Sequence, residues 1–456
     1  MTFRLLLCVL CASVVNSSAE VVYQLRYTGG PKVQVEITLP RGADRFIMPR
    51  AVPMGYGEQP YDRFVENLRG WAPSGEPAKV ERQEGPRWKL TPGAERIRYD
   101  VDVARMEQEI LDASHTSKIR PRYVSLLGYS VLGFAEGWEE EPVRLVVHAP
   151  ADWPLLSTLN PDGKELKAAN FYALADSQIL MGQAFQVRRR DESSTLYVAV
   201  YAEGEADIER IARLAGEAYD RVIAYFGSAP FPHYTVQMEL LAPVSERHQY
   251  GFSMEHLDSS TYYLERGAVT DDARTRYNFA HHIAHAWVPK RAYGEGYYPF
   301  SWELTPLFDT IWFSEGFGQY AALEALVAGM PPEQGATYRE RVLQARFRGN
   351  LTEAPSFLRR MSLVELSRVA STRYSSDFRT GRLVFSRGAL MAAEMDDHIR
   401  TQSKGQKSLR DALRALMSWS AANKRGFRIE ELPDIFRQAT GVDVKEIMDR
   451  WLRPLE

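Results

Sequence analysis

The hydrophobic and polar positions of this chain follow two different periods, and the change falls near residue 204. In the first part, apolar and polar residues alternate in short segments separated by Gly and Pro, for example at 33–39, 96–103, 143–148 and 196–201. Alternation with a period of two is typical of strands that bury one face. The pattern therefore predicts an N-terminal antiparallel β-sandwich domain over residues 20–203.

Helical spacing dominates after that point. Apolar residues between 207 and 226 recur at intervals of three and four, which predicts an amphipathic helix. A strand is predicted at 234–241, followed by helices at 271–288 and 306–327. Together these elements form a predicted second domain at 204–330.

The remaining residues, 331–456, form a predicted C-terminal helical domain. Helical patterns are strongest at 382–400, 408–419 and 443–452. Strands in the first part and helices in the last, with both in between, indicate a multidomain α+β protein.

The first 19 residues are typical of a secretory leader. Arg4 provides a positive end, an apolar run follows, and the small residues up to Ala19 suit cleavage before Glu20. Both cysteines, Cys8 and Cys11, lie in this segment, so the mature chain is predicted to lack disulfides and thiol chemistry. An uncleaved anchor is the alternative, but the run is short for a bilayer. We expect an exported protein, periplasmic or extracellular, with no membrane span after cleavage.

Composition narrows the class of protein without identifying a function. With 456 residues, the chain is long enough for two or three domains. Hydrophobic residues make up 45% and charged residues 25%, which is ordinary for a soluble globular protein. The formal net charge of −3 gives no electrostatic reason to expect nucleic acid as a partner.

A histidine pair in the predicted helix at 271–288 suits a metal ion. His281 and His285 are four residues apart, so both imidazoles lie on one helix face. Zinc accepts nitrogen and carboxylate ligands in a tetrahedral array, and Glu315 in the next predicted helix is the candidate third ligand. The fourth position would stay open, as in catalytic zinc sites. Two buried histidines hydrogen-bonded within the core are the alternative explanation of the pair.

Several motifs resemble those of the glycyl aminopeptidase family of zinc metallopeptidases, which are gluzincins related to the membrane alanyl aminopeptidases. The segments that carry the resemblance are 48–56, 253–256, 281–285 with Trp287, Lys290 and Arg291, 312–317, 386–390 and 441–452. The resemblance spans almost the whole chain after the leader. It implies Zn²⁺ as cofactor, a peptide or peptide-like ligand, and a thermolysin-like metallopeptidase domain between the sandwich and the helical domain.

Two positions depart from that family's pattern. His282 replaces the glutamate that would act as general base directly after the first histidine. A nearby divalent cation disfavours imidazolium, so a histidine accepts the proton of water less readily than a glutamate does. Phe385 stands where the resemblance implies a tyrosine that donates to the oxyanion. Losing the base typically costs about 10²–10⁴ in rate, and losing one oxyanion donor costs around 10²–10³.

The other implied site positions are kept. Glu255 matches the residue that binds the free amino terminus of the substrate, and His256 beside it is a further candidate for substrate binding. A plain strand carboxylate and a polar strand residue are the alternatives for the two positions. Glu295 and Glu303, in the loop between the ligand helices, are candidates for a substitute base.

Three functions are compatible with these residues. The first is an exported zinc metallopeptidase-like protein with impaired peptide hydrolysis, and the second is an active zinc aminopeptidase that uses His282 or a loop glutamate as base. The third is a non-catalytic module that binds peptides or a partner protein. We favour the first, because the general base and the oxyanion tyrosine of the resembled family are both replaced.

Overall fold

A computed structural model describes residues 20–53, 56–163, 165–191, 193–248 and 250–456. The predicted leader, with Cys8 and Cys11, lies outside the described residues, as do Met54 and Gly55 of the segment 48–56. The described residues form two hydrophobic cores, one in an N-terminal β-rich region and one among the helices that follow. The expected multidomain α+β organisation is confirmed.

Two sheets that share one core make up the N-terminal region. Their strands are β1 (Val21–Arg26), β2 (Lys32–Ile47), β3 (Val65–Trp71), β4 (Pro77–Arg82), β5 (Arg87–Asp102), β6 (Lys118–Arg120), β7 (Tyr123–Leu127), β8 (Phe134–Ala135), β9 (Val143–His148), β10 (Leu155–Ser157), β11 (Leu166–Ala168) and β12 (Gln178–Gly182). The larger sheet has the order β11-β9-β1-β2-β5-β3-β4 with β8 beside β2, and the smaller has the order β10-β12-β7-β6. The prediction of a purely antiparallel sandwich was wrong in one respect, since β1 and β9 pair in parallel.

The long strands β2 and β5 form the central ladder of the larger sheet, and they show why alternation predicted this region. Val35 lies opposite Tyr99 and Ile37 opposite Ile97. All four side chains are fully buried, whereas the intervening Glu36 is only partly buried. A period of two therefore sends one face of each strand into the core.

A third, five-stranded sheet joins this region to the helices. Its strands are β13 (Phe185–Arg190), β14 (Thr195–Ala202), β15 (His233–Leu241), β16 (Gly251–Glu255) and β17 (Ser259–Glu265), in the order β13-β14-β15-β17-β16. Successive residues of β14 face opposite cores, with Val198 and Val200 in the helical core and Ala199 and Tyr201 in the N-terminal core. Since β14 pairs with β15, this sheet crosses the boundary expected between residues 203 and 204. The change of domain lies instead between β12 and β13.

Helices form most of the chain after the third sheet begins. They are α1 (Val103–Glu109), α2 (Gly128–Val131), α3 (Phe171–Ala175), α4 (Ile208–Phe226), α5 (Asp272–Ala284), α6 (Ile311–Val327), α7 (Pro332–Arg341), α8 (Gly349–Glu353), α9 (Ser356–Arg359), α10 (Leu363–Arg373), α11 (Phe378–Gln402), α12 (Leu409–Asn423), α13 (Leu432–Thr440) and α14 (Lys445–Leu452). A π-helical segment, Val342–Arg348, connects α7 to α8, and 3₁₀ turns lie at Tyr61–Phe64, Ala113–His115 and Ile429–Glu431. Among the described residues, no helix combines the length and the apolarity needed to cross a membrane.

The helix α5 carries the histidine pair. The Asp271 carboxylate accepts hydrogen bonds from the backbone N–H groups of Ala273 and Arg274, which caps the helix start as expected. The helix ends at Ala284 rather than at residue 288, and the chain continues in turns up to Pro289. A residue before proline disfavours the α conformation, which explains why the regular helix stops early.

The helix α6 carries Glu315 and begins at Ile311, five residues later than the predicted start at 306. Neighbouring side chains hold the preceding segment in an irregular conformation. The Thr305 N–H donates to Glu58 at 2.9 Å, and the Phe308 N–H donates to the Ser371 hydroxyl at 2.8 Å. These tertiary hydrogen bonds replace the helical ones, and no local sequence pattern reveals them.

Nearly every side chain of α6 is buried, and α6 packs against α11 without side chains between the two backbones at one point. A Cβ atom on Gly388 would lie 1.9 Å from the Trp312 carbonyl oxygen, and one on Gly316 would lie 2.4 Å from the Gly388 Cα. Only glycine permits this approach. Because Gly316 adjoins Glu315, the contact also sets the depth of that carboxylate.

Candidate metal centre

Three side chains from α5 and its end and from α6 converge at one point. The Nε2 atoms of His281 and His285 are 3.1 Å apart, and Glu315 Oε2 lies 3.6 Å and 3.7 Å from them. All three residues are buried, and within the described part of the chain they form the one cluster of three potential ligands. The structure thus brings together the three residues that the sequence indicated as metal ligands.

Hydrogen bonds fix which nitrogen of each imidazole carries a proton. His285 Nδ1 donates to the Val288 carbonyl at 2.8 Å, so its Nε2 presents a lone pair. Gln319 accepts a hydrogen bond from the Tyr277 hydroxyl through Oε1 at 2.9 Å, which makes its Nε2 the donor to His281 Nε2 at 3.1 Å. Both Nε2 atoms therefore face the cluster as acceptors.

This donor set fits a divalent cation. Two imidazole lone pairs and a carboxylate oxygen at such short distances repel one another unless a positive charge lies between them. Tetrahedral zinc with Zn–N near 2.0–2.1 Å separates neighbouring ligands by roughly 3.3 Å, close to the three separations seen here. Two nitrogens and one carboxylate oxygen also match the ligand types of catalytic zinc sites.

Two tyrosines hold the Glu315 carboxylate from the side away from the histidines. The Tyr56 hydroxyl donates to Oε1 and the Tyr374 hydroxyl donates to Oε2, each at 3.2 Å. Burial and then the Glu315 charge raise the pKa of Tyr374 well above its usual value, so its hydroxyl stays protonated. Tyr374 contacts the same oxygen that faces both imidazoles, and its hydroxyl therefore lies beside the metal position.

His282 lies at the wall of the same cavity. Its Nδ1 donates to the Asn278 carbonyl at 2.9 Å, and its ring stands edge-on to Tyr262. Burial, followed by the neighbouring His281 and His285, lowers the pKa of His282 well below its usual value. The side chain is therefore a neutral imidazole whose Nε2 carries the free lone pair.

Glu255, at the end of β16, is a buried acid at the cavity wall. Its Oε1 has no hydrogen-bond partner among the described residues. Burial raises the pKa of Glu255, with Glu315 adding to the rise and His285 opposing it. A buried, unpaired carboxylate is costly, so this one suits a cationic ligand group.

His256 does not face the cavity. Its side chain is fully buried, with Nδ1 donating to Asp176 at 3.0 Å and Nε2 accepting from the Thr261 hydroxyl at 3.2 Å. Asp176 also lies 3.3 Å from the Lys290 ammonium and accepts from the Leu257 N–H at 2.6 Å. His256 therefore helps to anchor the end of β16 beside Glu255, and this position supports no contact with a ligand.

The cavity has a volume of about 670 Å³, within the range of small-molecule and peptide sites. Phe385 lines it as a buried apolar residue, packed 6.2 Å from the rings of Phe347 and Phe378. Neither loop glutamate lines it, because Glu303 pairs with Arg87 at 2.6 Å and Glu295 is exposed elsewhere. The loop thus offers no substitute base at the cavity.

Three residues of the site escaped the sequence interpretation, namely Tyr56, Gln319 and Tyr374. Gln319 lies one helical turn after Glu315, so helix geometry could have indicated it. Tyr56 comes from the N-terminal region and Tyr374 from the end of α10, and both reach Glu315 through the tertiary fold alone. No spacing in the sequence indicates either tyrosine.

Comparisons with known proteins agree with this arrangement. Residues 28–183 match the Peptidase M61 N-terminal domain, and the match ends at the boundary between β12 and β13. A search of curated protein sequences returns no match.

Solved structures share the fold across most of the chain. The aminopeptidase N family protein from Idiomarina loihiensis has a TM-score of 0.80 at 18% identity, over 96% of this chain and 76% of that one. The M1 zinc metallopeptidase from Deinococcus radiodurans has a TM-score of 0.53 at 15% identity, over 96% of this chain and 94% of that one. A mutant of the latter, bound to a Tyr-Ser-Ala substrate, has a TM-score of 0.53 at 16% identity over the same shares. Together with the domain match, these likenesses support a gluzincin-like peptidase architecture.

Proposed function

We propose that this protein is an exported zinc peptidase-like protein that binds the amino-terminal part of peptides and hydrolyses them poorly. One observation carries the proposal. The Nε2 atoms of His281 and His285 and the Glu315 carboxylate meet at distances of 3.1 to 3.7 Å, beside a peptide-sized cavity. Export rests on the predicted leader at residues 1–19, and the peptide ligand on the cavity and on the Deinococcus protein that binds Tyr-Ser-Ala.

Each polar residue of the cavity has a distinct role towards a peptide. His281, His285 and Glu315 would hold zinc, which supplies a Lewis acid that polarises the peptide carbonyl. The unpaired Glu255 carboxylate accepts the ammonium group of a free amino terminus. Tyr374 is a protonated donor beside the metal position, so it can donate to the carbonyl oxygen of the bound peptide.

Poor hydrolysis follows from the residue at position 282. A general base must take a proton from water next to the scissile bond, and His282 would become a cation beside the zinc ligands when it does so. The resulting repulsion in a buried site opposes that step. A glutamate would instead change from anion to neutral acid, which the cation opposes far less.

The second candidate function is an active zinc aminopeptidase in which His282 is the base. Its support is the free lone pair of His282 Nε2 at the cavity wall. A non-catalytic peptide-binding module, the third candidate, differs from the main proposal only in the complete absence of turnover. The exchange of His282 for glutamate, treated in the Discussion, separates the first two.

Metal analysis tests the centre directly. We expect the purified protein to contain one zinc ion per chain, and His285→Ala to lower zinc affinity by more than roughly 100-fold, because even residues behind the ligands typically contribute 10–100-fold. His398→Gln, a change on α11 outside the cluster, should leave the zinc content unaltered. Wild-type protein that holds no zinc after equilibration with the metal would overturn the proposal.

The hydroxyl of Tyr374 gives a further prediction. In a variant whose hydrolysis is measurable, such as His282→Glu, Tyr374→Phe should lower kcat by about 10²–10³, the usual cost of one oxyanion donor. Phe385→Tyr in the same background should not raise kcat, because the required donor is already present. The reverse result, with Phe385→Tyr as the activating change, would assign the role to position 385.

A further inference from the structure

One end of the cavity is lined by three arginines, namely Arg274, Arg341 and Arg346. The structure gives none of them a hydrogen bond or an ion pair through its side chain within the described residues. Adjacent arginines differ, since Arg276 pairs with Glu217 at 2.7 Å and Arg339 pairs with Glu324 at 2.7 Å. The arginines that face the cavity are thus the ones left without a carboxylate.

Arg346 is the best ordered of the three by its packing. It lies in the π-helical segment Val342–Arg348, and π-helical turns often occur at functional sites. Its guanidinium stacks 4.7 Å from the ring centre of Tyr277 and lies 5.6 Å from that of Phe385. These two rings direct the charged group into the cavity and hold it partly buried.

A short chain of contacts connects Arg346 to the metal centre. The Tyr277 hydroxyl donates to the backbone carbonyl of Gln319 at 3.0 Å and to its side-chain oxygen at 2.9 Å. The amide nitrogen of Gln319 then lies 3.1 Å from His281 Nε2. The guanidinium is therefore two residues removed from a zinc ligand and belongs to the same cavity wall.

The cavity also separates its charges. Glu255 and Glu315 lie near the metal centre, whereas the arginines lie at the other end. Asp271 is the acidic residue on the arginine side, and its carboxylate is already engaged as the cap of α5. A ligand with an amino group and a carboxylate would satisfy both ends.

We propose that Arg346, assisted by Arg274 and Arg341, forms a subsite for a carboxylate of the bound peptide. The proposal rests on the proposed function, because it concerns the same cavity. The planar guanidinium binds a carboxylate through two parallel hydrogen bonds, and partial burial strengthens them. The carboxylate is either the carboxyl terminus of a peptide of a few residues or an acidic side chain.

Binding of matched peptides to the zinc-loaded full chain tests this subsite by calorimetry. The probes are Ala-Ala-Ala, its C-terminal amide, and the amides of Ala-Glu-Ala and Ala-Gln-Ala. We expect a carboxylate-bearing probe to bind about tenfold or more tightly than its uncharged partner. A preference for the free acid over the amide assigns the carboxyl terminus, and a preference for Glu over Gln assigns an acidic side chain.

Variants locate the effect. Arg346→Gln should reduce the preference for the carboxylate to within about twofold, and Arg346→Lys should keep part of it, because lysine retains the charge without the fork. Arg341→Gln, at an exposed position, should give a smaller reduction and guards against misfolding of the Arg346 variants. Arg41→Gln is the matched control, since Arg41 also stacks on an aromatic ring without an ion pair, 5.1 Å from the ring centre of Trp138.

The outcomes separate the subsite from the function it rests on. Equal binding of charged and uncharged probes by the wild type would overturn the subsite and leave the peptide function standing. An unchanged preference in Arg346→Gln and Arg341→Gln would also overturn it. Absence of binding by every probe would overturn the peptide function, and the subsite with it.

Discussion

His282→Glu should raise the hydrolysis of short peptides by about 10²–10⁴, the typical contribution of a general base. The substitution places a carboxylate directly after the first histidine of the metal helix, where zinc peptidases use it. The remaining requirements are in place, since Tyr374 already contacts Glu315 and the Glu255 carboxylate has a free oxygen at the cavity wall. Steady-state release of alanine from Ala-Ala-Ala by wild type and variant measures the effect.

Two controls make that experiment specific. His282→Gln has nearly the same shape as His282→Glu but offers no base, so it should show no gain. Adding His285→Ala to His282→Glu should abolish the gain, because the activity then depends on an incomplete ligand set. A fall in activity on His282→Glu would instead show that the imidazole itself serves as base, and the second candidate function would replace the first.

Periodicity and ligand spacing were sufficient for the coarse fold and for the metal centre. Alternation marked the strands of the N-terminal region because one face of each is buried. The four-residue spacing of His281 and His285 was sufficient for the pair, because helix geometry alone brings them together. Glu315 could be chosen because it is a carboxylate within an almost wholly apolar helix, where burial without a partner would be costly.

Features that depend on tertiary contacts could not be predicted in this way. The strands β13 and β14 alternate like those of the N-terminal region, yet their hydrogen bonds join them to β15 of the next domain. The start of α6 is set by hydrogen bonds from Glu58 and Ser371, which lie far away in the sequence. Tyr374 reaches the metal centre because α10 folds over α6, and only coordinates reveal that.

The N-terminal region contributes directly to the site. Tyr56 donates to Glu315, and Asp176 binds both His256 and Lys290 beside the end of β16. Asp176 is fully buried, and Lys290 with His256 lowers its pKa against the effect of burial, so it remains an anion. The β-rich region is therefore part of the cavity's framework, and the peptidase-like part depends on it for the position of Glu255.

The Arg387-Gly388 pair has a packing role that is independent of any reaction. The Arg387 side chain is buried and donates to the carbonyls of Met361 at 2.9 Å and Trp451 at 2.8 Å. Gly388 follows at the point where α11 meets α6. One residue thus ties α11 to the C-terminal end of the chain, and the next allows it to reach the helix that carries Glu315.

Gly388→Ala should therefore destabilise the fold and disrupt the metal centre together. The new methyl group would lie 1.9 Å from the Trp312 carbonyl oxygen, so the two helices must separate. Overpacking of this kind costs about 3 kcal/mol when backbone must move. Because Glu315 lies on the displaced helix, its distance to the histidines changes, and metal sites tolerate only about 0.2 Å. Urea unfolding and zinc content, measured on the same preparation, test both effects.

Gly349→Ala is the matched control, since its Cβ would meet nothing closer than 3.9 Å and the residue has helical backbone angles. It should keep full zinc content and leave stability unchanged or raise it by about 0.5–1 kcal/mol, as helical Gly→Ala changes commonly do. If Gly388→Ala unfolded like the wild type and retained zinc, α6 and α11 could not be in backbone contact, and the placement of Glu315 by that contact would be wrong. Loss of stability with full zinc content would separate the two effects and show that Tyr56 and Tyr374, rather than the helix contact, hold the carboxylate in place.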